Sequence, residues 1–208
     1  MGLYSEWLFP KLCDKAMRAE TLQERRRSML SSVSGDVLEI GFGTGLSARH
    51  YPSAVTRLTA VEPSEGMNET AKARIEAAAV PIRLLPLAGE SLPVEDESMD
   101  HVTCSLTLCS VDDPTQVLAE IRRVLKPGGR FHFIEHVLSE DPNIARWQSR
   151  LNPLQRVIGV GCNLDRDSQS MIRAAGFELP DLRQEREDAL PFSALFPVVQ
   201  GVAVKPAA

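Results

Sequence analysis

The run Val37-Leu38-Glu39-Ile40-Gly41-Phe42-Gly43-Thr44-Gly45 constrains the fold more than any other stretch. Val37, Leu38 and Ile40 suit a strand buried on both faces, which reads as a near-continuous apolar run. Gly41, Gly43 and Gly45 then remove Cβ atoms where the backbone must bend sharply or let a ligand approach. From Leu46 onward the pattern predicts a helix. A strand, a glycine turn and a helix together mark the ligand-binding turn of a doubly wound α/β sheet.

The dinucleotide fingerprint G-x-G-x-x-G needs a glycine where Leu46 stands, and no Lys-Ser or Lys-Thr pair completes a P-loop. An acid at the end of the second strand, about 20 residues on, holds a ribose in this fold. Arg57-Leu58-Thr59-Ala60-Val61-Glu62 supplies such a strand, and Glu62 such an acid. Its carboxylate can accept charge-assisted hydrogen bonds from both ribose hydroxyls. The spacing Glu39-x-Gly41-x-Gly43-x-Gly45 resembles the first motif of the class I S-adenosylmethionine methyltransferases. An NAD-dependent dehydrogenase shares strand, turn and acid, and is the alternative that Leu46 argues against.

Strands alternate with helices along the chain, which implies an α/β doubly wound sheet. Residues 82–87 and 100–106 read as the third and fourth strands. An amphipathic helix spans 114–125 and stops at Lys126-Pro127-Gly128-Gly129. The fifth strand follows over 130–136. Helices near 144–158 and 166–175, then strands from Phe177 and over 198–204, complete seven strands. The resemblance implies a Rossmann-like order with the last strand antiparallel between the fifth and sixth. Residues 1–31 read as a helical segment broken at Pro10. In this family such a segment often folds over the cofactor, so Tyr4 and Trp7 either line an acceptor pocket or pack on the sheet. Residues 32–208 form the methyltransferase domain.

A formal charge of −5 argues against a nucleic-acid partner. The start of the chain has no apolar stretch of signal or membrane-span length, and Cys13, Cys104, Cys109 and Cys162 follow no paired spacing. A cytoplasmic protein without stable membrane insertion is the expectation. His132-Phe133-Ile134-Glu135-His136 matches a zinc-peptidase pattern, H-x-x-E-H. That chemistry needs a helix, whereas these residues read as a strand that spaces the two imidazoles about 13 Å apart. No metal site is read from it.

The resemblance implies S-adenosyl-L-methionine as cofactor and S-adenosyl-L-homocysteine as product. The residues expected to hold it are Glu39, Gly41, Phe42, Gly43, Gly45, Glu62, Pro63, Met67, Gly89, Glu90, Ser91 and Leu106. Ala88-Gly89-Glu90-Ser91-Leu92-Pro93 stands where the family reads the adenine, with Ala88 at the usual acid and Gly89-Glu90 taking over the role. Met67 faces either the adenine or the core. Glu120-Ile121-Arg122-Arg123-Val124-Leu125-Lys126-Pro127-Gly128-Gly129, Glu135-His136-Val137, Trp147-Gln148 and Gly161-Cys162-Asn163-Leu164-Asp165-Arg166 extend the likeness to the methyltransferase-like seven thiol S-methyltransferases. Its animal members carry an N-terminal membrane anchor, which this sequence is expected to lack.

The resemblance therefore implies methyl transfer to a small-molecule acceptor, a thiol first, with a phospholipid amine or quinone carbon as rivals. The cofactor is already activated, so the protein mainly aligns the reactants. His136, at the end of the fifth strand, is the candidate base; its alternative is a histidine bonded to backbone. Asn163 and Arg166 either shape the acceptor pocket or lock the C-terminal helix, the latter favoured because Asp165 is placed to cap the helix beginning near Arg166. Cys109 and Cys162 read as small core residues.

Overall fold

β1 (Gly35–Ile40) lies inside a seven-stranded sheet in the computed structural model, which describes residues 2–186 and 195–207. Around it run β2 (Val55–Val61), β3 (Ile82–Leu85), β4 (Met99–Ser105), β5 (Leu125–His136), β6 (Glu178–Arg186) and β7 (Pro197–Val204). The strand order is β3-β2-β1-β4-β5-β7-β6. Every pairing from β3 to β5 is parallel, and β7 runs antiparallel between β5 and β6. Strand order reverses between β1 and β4. In open α/β sheets, ligands bind at the carboxyl ends on either side of such a switch.

Alternation along each strand sends side chains to two cores. Leu38 and Ile40 of β1 join Val102, Cys104, Phe131 and Phe133 beneath α4 (Pro114–Val124). Val37 joins Leu58 and Ala60 on the opposite face, with Met29 and Leu30 of α2 (Glu20–Leu30) and Ala71 of α3 (Glu65–Glu76). α4 buries Val117, Leu118, Ile121 and Val124, the stripe its periodicity predicts. Asp113 caps it by accepting from the N–H groups of Thr115 and Gln116, both at 3.0 Å.

Four local expectations are revised. Pro10 does not break the N-terminal segment: it sits in the first turn of α1 (Phe9–Met17), where its missing N–H costs nothing, after a π-helical turn at Tyr4–Leu8. No α-helix follows Gly45, only turns and a short 3-10 segment, Ala48–His50. Pro52 biases Tyr51 towards extended backbone, and Ser47 and Tyr51 both turn their hydroxyls onto Glu39. β5 begins at Leu125, five residues early. Leu125 pairs with Met99, and the Pro-Gly-Gly run is absorbed as a shift of register before Arg130 meets His101. Finally, Asp167 rather than Asp165 caps α6 (Ser168–Ala174), accepting from Ser170 N at 3.0 Å, while Asp165 accepts from Asn152 at 2.7 Å.

α5 (Pro142–Ile158) buries Gln148 and turns Trp147, Leu154, Val157 and Ile158 outward. Among the described residues no helix is long and apolar enough to cross a membrane.

Candidate functional site

The glycine turn is held at both ends. The N–H groups of Gly41 and Phe42 both donate to Val61 O, at 3.0 and 3.1 Å, so the turn folds back over the end of β2. Gly41 has φ +73°, and a Cβ there would overlap the Thr107 side chain. Gly43, at φ +56°, aims its N–H at Glu62 Oε2, 2.9 Å away. Ser64 N donates to Glu62 Oε1 at 3.0 Å. Burial raises the Glu62 carboxyl above its ordinary range, and these two N–H groups offset part of the rise. Each oxygen keeps a further lone pair for a ligand.

In front of this pair opens a cavity of about 610 Å³. Of the expected cofactor residues, Glu39, Gly41, Phe42, Gly43, Glu62, Pro63, Met67, Gly89, Glu90 and Leu106 line it. Gly45 and Ser91 do not. A Cβ on Gly45 would meet the Phe42 ring at 3.0 Å and Ala71 at 3.3 Å, so its role is close packing of the turn on α3. Ser91 is exposed. Gly89 lies so close to Ile40 that a Cβ would stand 2.8 Å from Cγ2. Leu106 adopts φ +57°, a conformation costing a side-chain-bearing residue roughly 1–2 kcal/mol, and its N–H donates to Ile134 O at 2.7 Å.

Glu39 forms the inner wall. Its Oε2 accepts from Ser47 Oγ at 2.9 Å and Tyr51 Oη at 3.0 Å, and Tyr51 continues to Thr103 at 2.7 Å. Burial pushes its carboxyl up to about 7 against those hydrogen bonds.

The N-terminal segment supplies the roof, which the sequence left open. Phe9, Cys13 and Met17, spaced i, i+4, i+8 along α1, face the cavity. That spacing was a readable signal; Tyr4 and Trp7 drew attention because they are aromatic. Neither lines the cavity: Tyr4 donates its hydroxyl to Ile158 O at 2.6 Å, and Trp7 is exposed. Glu6 Oε2 accepts from Ser64 Oγ at 3.0 Å and Gly66 N at 3.1 Å, at the start of α3. A Cβ on Gly66 would strike the Glu6 carbonyl. Asp14 accepts from Thr44 Oγ1 and Arg74 Nη1, both at 2.7 Å, and from Arg18 Nε at 2.9 Å. One buried carboxylate thus ties the roof to the glycine turn and to α3.

The far wall is the turn after β4, carrying Thr107 and Ser110, and the turn after α5, carrying Gly159 and Val160. Glu135, fully buried, organises the first. Its carboxylate accepts from Thr107 N and Leu108 N at 2.8 Å and from Cys109 N at 3.2 Å. Asn163 Nδ2 donates to Cys109 O at 3.0 Å and Arg166 Nη1 to Leu108 O at 2.5 Å, so both lock the 162–166 stretch onto this turn. His136 ends β5 buried behind the wall and does not line the cavity; its Nδ1 lies 3.8 Å from Cys162 Sγ. His132 points elsewhere, pairing with His101 at 2.9 Å.

The residues fit an adenosyl ligand. Backbone stripped of Cβ atoms forms the floor, and the Glu62 carboxylate follows the end of β2, the position at which an acid of this kind of fold accepts ribose hydroxyls. The volume lies within the range of cofactor pockets.

Comparison with known proteins agrees with this geometry. Residues 38–133 match the family model described as "Methyltransferase domain". The human thiol S-methyltransferase TMT1A is 34% identical over 198 residues, covering 89% of this chain and 80% of that protein. Human thiol S-methyltransferase TMT1B is 33% identical, covering 97% and 86%. Among solved structures, the YcgJ protein of Bacillus subtilis superposes with a TM-score of 0.69 at 19% identity, covering 89% of this chain and all but 1% of that one. A geranyl diphosphate methyltransferase solved with GPP and sinefungin superposes with a TM-score of 0.64 at 16% identity, covering 89% and 77%.

Proposed function

The chain belongs to the class I S-adenosylmethionine-dependent methyltransferases, and from that premise we propose that its acceptor is the sulfur of a small-molecule thiol. The observation that carries the reading is the extent of likeness to the human thiol S-methyltransferases. It runs through the far-wall segments that follow residue 133, where the general domain match ends.

S-adenosylmethionine, when bound, supplies a methyl group on a cationic sulfonium. Everything else falls to the chain. Glu62 accepts the ribose hydroxyls while Gly43 and Ser64 hold its carboxylate in place. Gly41 and Gly43 let that ligand approach the backbone. Glu39 presents a carboxyl to the interior end of the cavity. Phe9 and Met17 from the roof, with Leu106, Val111 and Val160 from the far wall, give an apolar surround that excludes water and suits a thiol with an apolar body. A free thiol has a pKa of about 8.5, so part of it is thiolate at neutral pH. Alignment at about 3–3.5 Å is then the main contribution asked of the protein. No base among the wall residues is required, and His136 sits behind the wall.

A radiolabelled-methyl assay tests the acceptor, with a panel of alkyl and aryl thiols, phosphatidylethanolamine and a quinol side by side. Label in the thiol products alone is expected. Label in the lipid or the quinol without any in the thiols overturns the proposal.

A further inference from the structure

Two cysteines read from the sequence as inert core residues meet a histidine behind the far wall. Cys109 comes from the turn after β4, His136 from the last residue of β5 and Cys162 from the turn after α5. Their donor atoms all lie within 4.8 Å of one another. Cys109 Sγ and Cys162 Sγ are 3.7 Å apart, and Cys162 Sγ is 3.8 Å from His136 Nδ1. All three side chains are buried.

We propose that Cys109, Cys162 and His136 form a binding site for a thiophilic divalent cation, zinc above all. The distances carry this. Zinc–sulfur bonds of about 2.3 Å and zinc–nitrogen bonds of about 2.0–2.1 Å at tetrahedral angles place sulfurs about 3.8 Å apart and sulfur about 3.6 Å from nitrogen. The Cys109–Cys162 and Cys162–His136 separations therefore already have the right size. Two sulfurs and one imidazole are the donor set that selects zinc over hard cations such as magnesium or calcium.

The surroundings hold the donors, and the contact of Cys109 Sγ to backbone that a cation would displace is long: the thiol donates to Leu106 O at 3.5 Å. Glu135 accepts from Cys109 N, and Asn163 grips Cys109 O. His136 turns Nδ1 towards Cys162 Sγ, and its Nε2 is buried with no hydrogen-bond partner among the described residues. With the ring proton on Nε2, the Nδ1 lone pair faces the cation site. Ser110 Oγ lies 3.4 Å from Cys109 Sγ, and Ser110 and Gly159 both line the cavity, which gives an entry path and a neighbour for the fourth position.

The balance is simple. Each cation bound releases the two thiol protons, both cysteines bind as thiolates, His136 binds neutral, and no electrons move. The cation ties the turn after β4 to the turn after α5. Both carry cavity wall, so its occupancy bears on the rigidity of that wall. The site stands apart from the choice of methyl acceptor.

The test is cobalt(II) titration of the purified full chain under a phosphine reductant, read by absorption. One equivalent is expected to produce thiolate-to-cobalt charge-transfer bands with intense tetrahedral d–d bands, and one equivalent of zinc to bleach them. Cys109→Ser and Cys162→Ser each weaken the charge transfer, their combination abolishes it, and Cys13→Ser keeps it. Circular dichroism checks that the variants fold. Should they not, the wild-type titration decides alone: a cobalt spectrum without thiolate charge transfer overturns the site, as does a band that survives the double substitution.

Discussion

The backbone N–H of Gly43 donates to the Glu62 carboxylate at 2.9 Å, joining the glycine turn after β1 to the acid after β2. The turn that floors the cavity therefore also orients the carboxylate proposed to hold the ribose. Glu62→Gln removes the charge and leaves one oxygen to accept where two did. Hydrogen bonds to a charged group are worth about 1.5–3 kcal/mol, so affinity for S-adenosylhomocysteine should fall by roughly 10- to 100-fold. Isothermal titration measures it. The pH dependence has a definite sign. Burial raises the folded-state pKa of Glu62, so wild-type affinity should begin to weaken at a higher pH than an ordinary glutamate would produce as the solution is acidified. That loss should be absent in the glutamine variant.

This pair was legible because each half is written in consecutive residues: three glycines after an apolar run, and an acid closing the next strand. The stripe of α4 was legible for the same reason, whereas the sheet order came from the family resemblance, since spacing along the chain carries no strand order. What escaped was assembled across the chain. Asp14 reaches Thr44, 30 positions away, and Arg74, 60 away, and no spacing rule connects them. Cys109 and Cys162 stand 53 positions apart and meet only because two turns converge on the end of β5. The absent helix after Gly45 failed differently. Its residues have the propensity, but Ser47 and Tyr51 turn towards a buried carboxyl, and Pro52 follows at once.

Glu39 should trade stability for ligand binding. Burial lifts its carboxyl from 4.5 to about 7. A carboxyl raised in the folded state favours folding at low pH, and stability drains away as pH climbs from the unfolded value to the folded one. At about 1.36 kcal/mol per unit, the drain is on the order of 3 kcal/mol. Glu39→Gln still accepts from Ser47 and Tyr51 through its amide oxygen and carries no charge. Urea unfolding at pH 5 and pH 8 should show a smaller pH difference for the variant than for wild type. The variant should also bind S-adenosylhomocysteine more weakly, since its amide cannot match the carboxyl on the cavity wall.

Asp14 should govern how firmly the N-terminal roof is closed. Burial opposes its charge, and hydrogen bonds from Arg74, Thr44 and Arg18 outweigh burial, so its pKa lies below the ordinary value. Its contribution is therefore complete above that ordinary value and is lost as pH falls through the lower folded one. Asp14→Asn keeps one acceptor oxygen and loses the charge, at a cost of about 2 kcal/mol. Hydrogen exchange should speed up in residues 4–17 with β1 and β4 unchanged. Equal acceleration throughout the sheet is the outcome that would exclude a local role.

Glu135 should prove indispensable to the far wall through its charge and its two oxygens together. Oε1 accepts from Thr107 N and Leu108 N, and Oε2 from Cys109 N. Glu135→Gln has the same shape, but its amide nitrogen meets a donor in place of an acceptor, whichever way it flips. At least one buried N–H is left unpaired, at about 1–3 kcal/mol. The turn it releases carries Thr107, against which Gly41 packs too closely to tolerate a Cβ, so the disturbance reaches the cavity floor. The melting temperature and the S-adenosylhomocysteine affinity should therefore fall together. A drop in melting temperature with unchanged affinity would show that the turn after β4 supports the fold without shaping the site.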